Sequence, residues 1–333
     1  MSGFPMKRLR RLRGNATLRQ MLGTSRLSVS ELIAPIFVRG GQGQRQEIPS
    51  MPGQCQFSVD TAMETIRRWS GKGIPAVLLF GIPDAKDAAG SGAWDEQGPA
   101  QTLTRQIKKE LPQVMVIADV CLCEYTDHGH CGTVIADRTG QLVMDNDATL
   151  ASLTKSAISL AAAGADIVAP SAMMDGQVAA IRAGLDGAGF TETAILGYSV
   201  KFASCLYGPF RDAAGSVPQF GDRRGYQMDY RSAGQAVLEA AADAAEGADL
   251  LMVKPVATYL DILHDIRRRF DLPLVAYHVS GEYAMIKAAS AAGWLEEQSA
   301  MLEITTAIKR AGADLIITYF AEQLADWLSH NRP

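Results

Sequence analysis

The sequence lacks the features that would place the protein in a membrane, outside the cell or on nucleic acid. Its 333 residues contain no apolar run long enough to cross a bilayer, so no membrane contact is predicted. The formal charge is only −4, which gives no reason to expect a nucleic-acid partner. The basic segment from Met6 to Arg13 is not followed by an apolar stretch, so it does not predict a secretory signal. These absences favour a soluble cytoplasmic protein.

Cysteine is scarce, and its five copies are unevenly distributed. An odd number does not complete a disulfide framework, and Cys121, Cys123 and Cys131 lie in one short segment. This pattern favours a reduced compartment with a metal or reactive site. Cys55 and Cys205 lie far away in sequence and are interpreted as ordinary small residues.

Short apolar runs recur along the chain, and we predict that they form buried parallel strands. The eight runs are Ala34–Val38, Ala76–Phe80, Val114–Asp119, Asp166–Ala169, Ala194–Ser199, Leu250–Val253, Leu274–Tyr277 and Leu315–Thr318. Alanine-rich segments with helical spacing lie between them, at Ala148–Ala163, Ser232–Ala245 and Glu296–Arg310. This succession predicts an α/β fold, a closed (β/α)8 TIM barrel, with an open doubly wound sheet as the alternative. Residues 1–30 precede the first strand and are predicted to form an extended N-terminal arm, with the barrel over residues 31–333.

The third predicted strand leads into the cysteine-rich segment. Cys121 and Cys123 form a Cys-x-Cys pair whose thiolates can face one centre, and Cys131 can complete the set. Thiolate is a preferred ligand of zinc, and three ligands leave a fourth position for water or substrate, which is typical of a catalytic site. Chance clustering or redox-active thiols are the alternative. His128 and His130 are further candidate ligands, although a loop histidine is more often solvated or supporting.

Two lysines follow directly on predicted buried strands. Lys201 ends the fifth run, and Lys254 ends the sixth, where Pro255 stops the strand. Burial and a neighbouring ammonium both lower the pKa of a lysine, and attack on a carbonyl requires the neutral amine. Because these strands are neighbours in a barrel, we predict that the two amines share one pocket and hold two carbonyl substrates as Schiff bases. A solvated surface position is the usual alternative for a lysine.

Groups that can bind carboxylates follow the same strands. Arg211 and Arg223 lie in a long glycine-bearing loop after Lys201, and guanidinium binds carboxylate through paired hydrogen bonds. Ser280 follows the seventh strand and Tyr319 the eighth, where their hydroxyls can donate to a second carboxylate. We interpret these residues as two anion-binding halves of one pocket. A charged lid with solvated arginines is the alternative.

Six segments in the same order resemble the zinc-dependent porphobilinogen synthases, also called 5-aminolevulinate dehydratases. They are Asp119–Gly132, Tyr198–Asp212, Phe220–Gln227, Met252–Pro255, Tyr277–Ala284 and Ile316–Tyr319. The resemblance covers nearly the whole chain. It implies a lyase that condenses two 5-aminolevulinate molecules asymmetrically to porphobilinogen with loss of two waters, in tetrapyrrole (heme) biosynthesis.

The resemblance also implies roles for individual residues. The cysteines match the ligands of a catalytic Zn²⁺, Lys201 and Lys254 match the A-side and P-side Schiff-base lysines, and Asp119 matches a proton-transfer group. Arg211, Arg223 and Gln227 match A-side substrate contacts, and Ser280 and Tyr319 match P-side carboxylate contacts. Some relatives bind an allosteric Mg²⁺ at the position of Glu239, for which a solvated helix-surface glutamate is the alternative. Relatives typically form homo-octamers through the arm.

Two other functions remain as alternatives at this point. A class I aldolase-type barrel needs one Schiff-base lysine and no metal, but it leaves the cysteine segment without a role. A nucleic-acid-binding protein with a basic arm and a structural zinc knuckle leaves both strand-end lysines unexplained.

Overall fold

The computed structural model describes residues 7–330, so Met6 and the extreme ends of both predicted domains lie outside the described residues. Eight parallel strands form a closed barrel. They are β1 (Leu32–Arg39), β2 (Ala76–Ile82), β3 (Met115–Val120), β4 (Ile167–Pro170), β5 (Ala194–Lys201), β6 (Leu250–Lys254), β7 (Leu274–His278) and β8 (Leu315–Thr318). Pairing of Leu32 with Ile316 and of Ile33 with Ile317 joins β1 to β8. The barrel prediction is therefore confirmed, and the open-sheet alternative is wrong.

The α-helices flank the strands, and an apolar stripe on most of them faces the barrel. They are α1 (Ala16–Leu22), α2 (Val59–Gly71), α3 (Pro99–Glu110), α4 (Asn146–Ala162), α5 (Gln177–Gly187), α6 (Gly208–Ala214), α7 (Ala233–Glu246), α8 (Leu260–Arg269), α9 (Ser280–Ala291), α10 (Glu297–Ala311) and α11 (Ala321–His330). In α2, for example, Ala62, Met63, Ile66 and Trp69 are buried at helical spacing. None of the helices in residues 7–330 combines the length and apolar character needed to span a bilayer.

Short additional strands lie at the carboxyl-end face of the barrel. Cys55–Ser58 pairs in parallel with the end of β1. Arg45–Glu47 pairs in turn with Cys55–Ser58 in antiparallel fashion. Val134–Ala136 and Leu142–Met144 form a hairpin beyond the cysteine-rich segment. These additions extend the βα loops, the part of such barrels that carries the chemistry.

The chain before β1 lies outside the barrel core. The 3₁₀ turn Leu9–Leu12 and helix α1 bury no residue, and Met21 is 70% exposed. An isolated seven-residue helix is marginal in water, so its stability depends on packing against another surface. The division into an arm over 1–30 and a barrel over 31–333 stays a prediction.

Candidate active site

The two strand-end lysines lie side by side. Lys201 is the last residue of β5 and Lys254 the last of β6, and the two residues are paired across the sheet. Their Nζ atoms lie 5.5 and 5.0 Å from the centre of the Tyr198 ring. Both side chains are buried inside the barrel mouth, with exposed fractions of 5% and 6%. The fold thus places two amines in one pocket, as the sequence predicts.

Aromatic rings surround the amine of Lys254. Its Nζ lies 4.2 Å from the ring centre of Tyr277 and 5.3 Å from the centres of both Tyr207 and Phe210. Burial among these rings, together with the charge of Lys201, lowers the pKa of Lys254 to about 7. A large fraction of this lysine is therefore neutral near pH 7, the form that attacks a carbonyl.

Lys201 belongs instead to a polar chain. Its Nζ donates to the backbone oxygen of Ser171 at 2.5 Å, and the Ser171 hydroxyl donates to Oδ2 of Asp119 at 3.1 Å. Burial, reinforced by the charge of Glu124, raises the pKa of Asp119 to about 7, while both lysines act in the opposite direction. A carboxyl group of this kind can both take and give a proton near neutral pH.

The three cysteines converge beside this chain. The Sγ atoms of Cys121, Cys123 and Cys131 lie within 4.8 Å of one another, and the first two are 3.4 Å apart. A tetrahedral zinc with Zn–S bonds of about 2.3 Å needs sulfur atoms about 3.8 Å apart, so the buried trio fits that ion. Hydrogen bonds from the other two thiols hold the pKa of Cys131 well below its ordinary value, and the charge of Arg223 adds to this effect. This effect favours the thiolate form, in which a cysteine binds zinc.

The long loop after β5 brings two arginines and a glutamine over the pocket. Arg223 is buried, and its Nη2 donates to the backbone oxygens of Gly129 and Ser216 at 2.8 and 2.7 Å. Within residues 7–330, the Nε atoms of Arg223 and Arg211 and both amide atoms of Gln227 are buried without a partner. Unpaired buried polar groups are costly, so this cluster has unused capacity for an anionic ligand.

Ser280 and Tyr319 follow β7 and β8, and their hydroxyls already have partners within the protein. The Ser280 hydroxyl accepts from the Phe210 backbone N–H at 3.0 Å. The Tyr319 hydroxyl lies 3.1 Å from that of Tyr277. Both residues are buried at the barrel mouth, as expected for residues that follow β7 and β8.

Glu239 lies apart from these groups, on helix α7. It is half-buried, and its pKa is raised by that burial and by the neighbouring charges of Asp175 and Glu246. Within the described chain, the close sets of metal-binding atoms are the cysteine trio and the group Asp119, Cys121 and Glu124, so Glu239 belongs to neither.

The histidines of the cysteine-rich segment hold the loop after β5. His130 Nδ1 lies 3.1 Å from the Tyr226 hydroxyl, and its Nε2 lies 2.9 Å from the Phe220 backbone oxygen. His128 Nε2 lies 3.3 Å from the Ala88 backbone oxygen. In this conformation the histidines join loops and leave the sulfur atoms to a metal.

Sequence reasoning missed several residues of the pocket. Ser171 follows directly on β4, so the strand-end pattern that singles out the lysines also indicates this residue. Tyr198 lies inside β5, where a single aromatic residue in an apolar run looks like ordinary core. Glu124 is buried with its Oε2 3.3 Å from the Cys123 sulfur, and only its position in the cysteine-rich segment could have indicated it.

A closed barrel with buried ionisable groups at the carboxyl ends of its strands defines an enzyme of the (β/α)8 class. The family profile described as "Delta-aminolevulinic acid dehydratase" matches residues 6–327. The chain belongs to this family, whose members are lyases also named porphobilinogen synthases.

Individual relatives agree along nearly the full length. The delta-aminolevulinic acid dehydratase of Halalkalibacterium halodurans is 53% identical over 326 residues, covering 98% of both chains. That of Synechococcus elongatus is 51% identical over 327 residues, covering 98% of this chain and all of the relative. The crystal structure of the Toxoplasma gondii porphobilinogen synthase in complex with porphobilinogen matches with a TM-score of 0.94 and 44% identity, covering 98% of this chain and 93% of that one.

Proposed function

We propose that the protein condenses two 5-aminolevulinate molecules asymmetrically to porphobilinogen, with loss of two waters, as a step of tetrapyrrole (heme) biosynthesis. The observation that carries the proposal is the pair of buried amines at adjacent strand ends. The names of the relatives supply the substrate, and the pocket supplies groups for two keto acids. A one-lysine aldolase would leave the second amine and the cysteine trio without a function.

Lys254 is a suitable nucleophile because its burial, together with the charge of Lys201, favours the neutral amine. Its attack on the ketone carbon of one substrate forms a carbon–nitrogen bond and expels the ketone oxygen as water. Lys201 tethers the second substrate in the same way. When a substrate nitrogen or carbon later replaces each lysine, the amines are regenerated, so the net loss is the two ketone oxygens. Tethering makes the condensation effectively intramolecular.

Asp119 moves protons for the substrate bound to Lys201. Its Oδ2 accepts a hydrogen bond from Ser171, whose backbone oxygen accepts one from Lys201, so acid and amine share one anchor. With a pKa of about 7, Asp119 can take a proton from one intermediate and return it to the next.

The two substrate carboxylates are assigned to opposite sides of the pocket. Arg211, Arg223 and Gln227 hold the A-side carboxylate, and the unpaired buried atoms of all three support this role. Ser280 and Tyr319 hold the P-side carboxylate by exchanging a protein partner for the substrate oxygen. The asymmetry orients two identical substrates differently, as an asymmetric condensation requires.

Cys121, Cys123 and Cys131 are proposed to hold a zinc ion. Bound there, it would supply Lewis-acid polarisation of a substrate oxygen. The close spacing and burial of the three sulfur atoms support this choice of metal.

Three further expectations complete the proposal. Glu239 contributes to a Mg²⁺ site outside the pocket, the arm of residues 1–30 joins copies of the chain into a homo-octamer, and the enzyme works in the cytoplasm. Two acidic residues near Glu239 support the Mg²⁺ site. The absence of buried residues in helix α1 supports the role of the arm in joining copies of the chain.

An assay with 5-aminolevulinate tests the reaction itself. Zinc-loaded protein should form porphobilinogen, and a chelator should abolish this activity until zinc is returned. Borohydride reduction with substrate present should tag Lys254 or both lysines, detected by peptide mass spectrometry. Absence of product from zinc-loaded protein would refute the proposal.

A further inference from the structure

The pocket is covered by the segment that follows β5. We define the lid as residues 203–227, which include helix α6 and the arginines described above. Phe210 of α6 packs 4.9 Å from the Phe80 ring centre and 5.7 Å from that of Phe37, directly above Lys254. Because both reactive lysines are almost fully buried, substrate can reach them only when this cover moves. A residue that fastens the lid therefore controls access to the reaction.

The carboxyl end of helix α6 contacts the ammonium group of Lys86, which lies in another loop. Gly215 has a left-handed backbone (φ +56°), and the Ser216 N–H donates to the Arg211 oxygen at 2.9 Å, which closes the last turn. Lys86 Nζ donates to the Gly215 oxygen at 2.6 Å and to the Ala214 oxygen at 3.4 Å. Carbonyls at a helix end have no partner within the helix, so the lysine satisfies groups that would otherwise need water.

The loop that carries Lys86 is hydrogen-bonded to the cysteine-rich segment. The Asp87 N–H donates to the Tyr125 oxygen at 3.3 Å, and the Asp127 N–H donates to the Asp87 oxygen at 3.1 Å. The Asp87 carboxylate also accepts the Ala89 and Ser91 backbone N–H groups at 2.9 and 3.0 Å. Lys86 thus contacts the lid from a loop that is held in place by hydrogen bonds.

The charges around Lys86 favour the ammonium at this point. The side chain is half-buried, and burial lowers the pKa of Lys86, while Glu124 and Cys123 favour its charged form. A charged donor to carbonyl oxygens gives a stronger hydrogen bond than a neutral one.

We propose that Lys86 is a positioning residue that fastens the lid in its closed position over the two lysines. The proposal rests on the proposed function for its kinetic consequence, but lid closure itself can be measured without turnover. Lys86 touches neither reactive amine, so its effect on the reaction passes through the lid.

Hydrogen exchange of the zinc-loaded full chain, followed by mass spectrometry of the peptides that cover residues 203–227, tests the inference. In Lys86→Met, which keeps the length but loses the charge and donors, exchange of these amides should be roughly tenfold faster than in the unaltered protein. The KM for 5-aminolevulinate should rise about tenfold, with a smaller change in kcat. Lys86→Arg should recover part of both effects because it keeps a charged donor.

Lys108→Met is the matched control. Lys108 is also half-buried and donates to backbone oxygens and to Asp166, but it does so at the opposite end of the barrel. This variant should leave lid exchange and KM unchanged.

The inference would be overturned if the lid amides exchanged at the same rate in Lys86→Met as in the unaltered protein. This holds even if turnover falls, because the lysine would then act on Glu124 or Cys123 instead. If no variant makes porphobilinogen while Lys86→Met still exchanges faster, the proposed function fails and the lid role stands.

Discussion

The two sides of the pocket are built on opposite principles. The ring-lined side consists of Lys254, Tyr277, Ser280 and Tyr319, and the lid side consists of Arg211, Arg223 and Gln227. On the ring-lined side, Ser280 and Tyr319 already have partners within the protein. On the lid side, four buried polar atoms have none within residues 7–330.

This difference indicates what completes each side. On the ring-lined side the hydroxyls of Ser280 and Tyr319 are hydrogen-bonded before any ligand binds, with the Phe210 N–H and the Tyr277 hydroxyl as their partners. The lid side carries an electrostatic cost that an anion can relieve. Folding therefore prepares one site for covalent attack, while the other becomes fully satisfied only when its ligand arrives.

Removal of the ring-lined amine is the strongest test of this comparison. Lys254→Ala should reduce porphobilinogen formation by at least about 10⁴-fold, because the nucleophile itself is lost. Activity is measured by product formation, and circular dichroism should show an intact fold. Residual activity above one hundredth would show that Lys201 alone suffices and that the two sides are not specialised.

Loss of the metal site should cause the second largest fall in activity. Cys123→Ala should reduce both zinc content and activity by more than about 100-fold, since two thiolates hold zinc poorly. Zinc is measured by elemental analysis of the purified protein. Cys205→Ala removes an exposed cysteine outside the trio and serves as the control. Full activity of Cys123→Ala after chelation would contradict a catalytic metal.

The pH dependence of adduct formation tests the lowered pKa of Lys254. Attack by Lys254 requires the neutral amine, and its pKa is lowered to about 7, so the neutral fraction grows as pH rises and levels off above that value. Below pH 7 the rate of borohydride-trapped adduct formation with 4-oxopentanoate should rise about tenfold per pH unit. A plateau only near the ordinary lysine value of 10.5 would contradict the effect assigned to burial and to the charge of Lys201.

The smallest expected effects have opposite signs on the two sides. Gln227→Leu removes two unpaired buried atoms, so unfolding free energy should stay constant or rise by up to about 1 kcal/mol while KM increases several-fold. Tyr319→Phe removes a hydroxyl paired with Tyr277 and should lower unfolding free energy by about 1 kcal/mol. Urea unfolding measures both. If the two variants lowered the unfolding free energy equally, the proposed difference between the two sides would be contradicted.

Much of the fold could be predicted because its signals are local. Each buried parallel strand is a nearly continuous apolar run, and every predicted strand end lies within two residues of the observed one. Lys201 and Lys254 stood out because a charged residue that ends such a run must lie at the barrel mouth.

The contacts of the lid could not be predicted in this way. Arg223 donates to the Gly129 oxygen across 94 residues of sequence, and both lie in loops without a repeating pattern. The contact of Lys86 with the lid could not be predicted either, since its partners are backbone oxygens, which any residue supplies. The rings around Lys254 have ordinary core positions in sequence, and only three-dimensional packing gives them an electrostatic effect.

The way β1 meets its neighbours also matters while the protein is being synthesised. Its first residues pair with β8, which is translated after the other seven strands of the barrel, so that edge stays unpaired until β8 has been synthesised. Cys55–Ser58 covers the other end of the same edge and is translated soon after β1. An exposed strand edge invites association between nascent chains, and this early partner shortens the stretch left open.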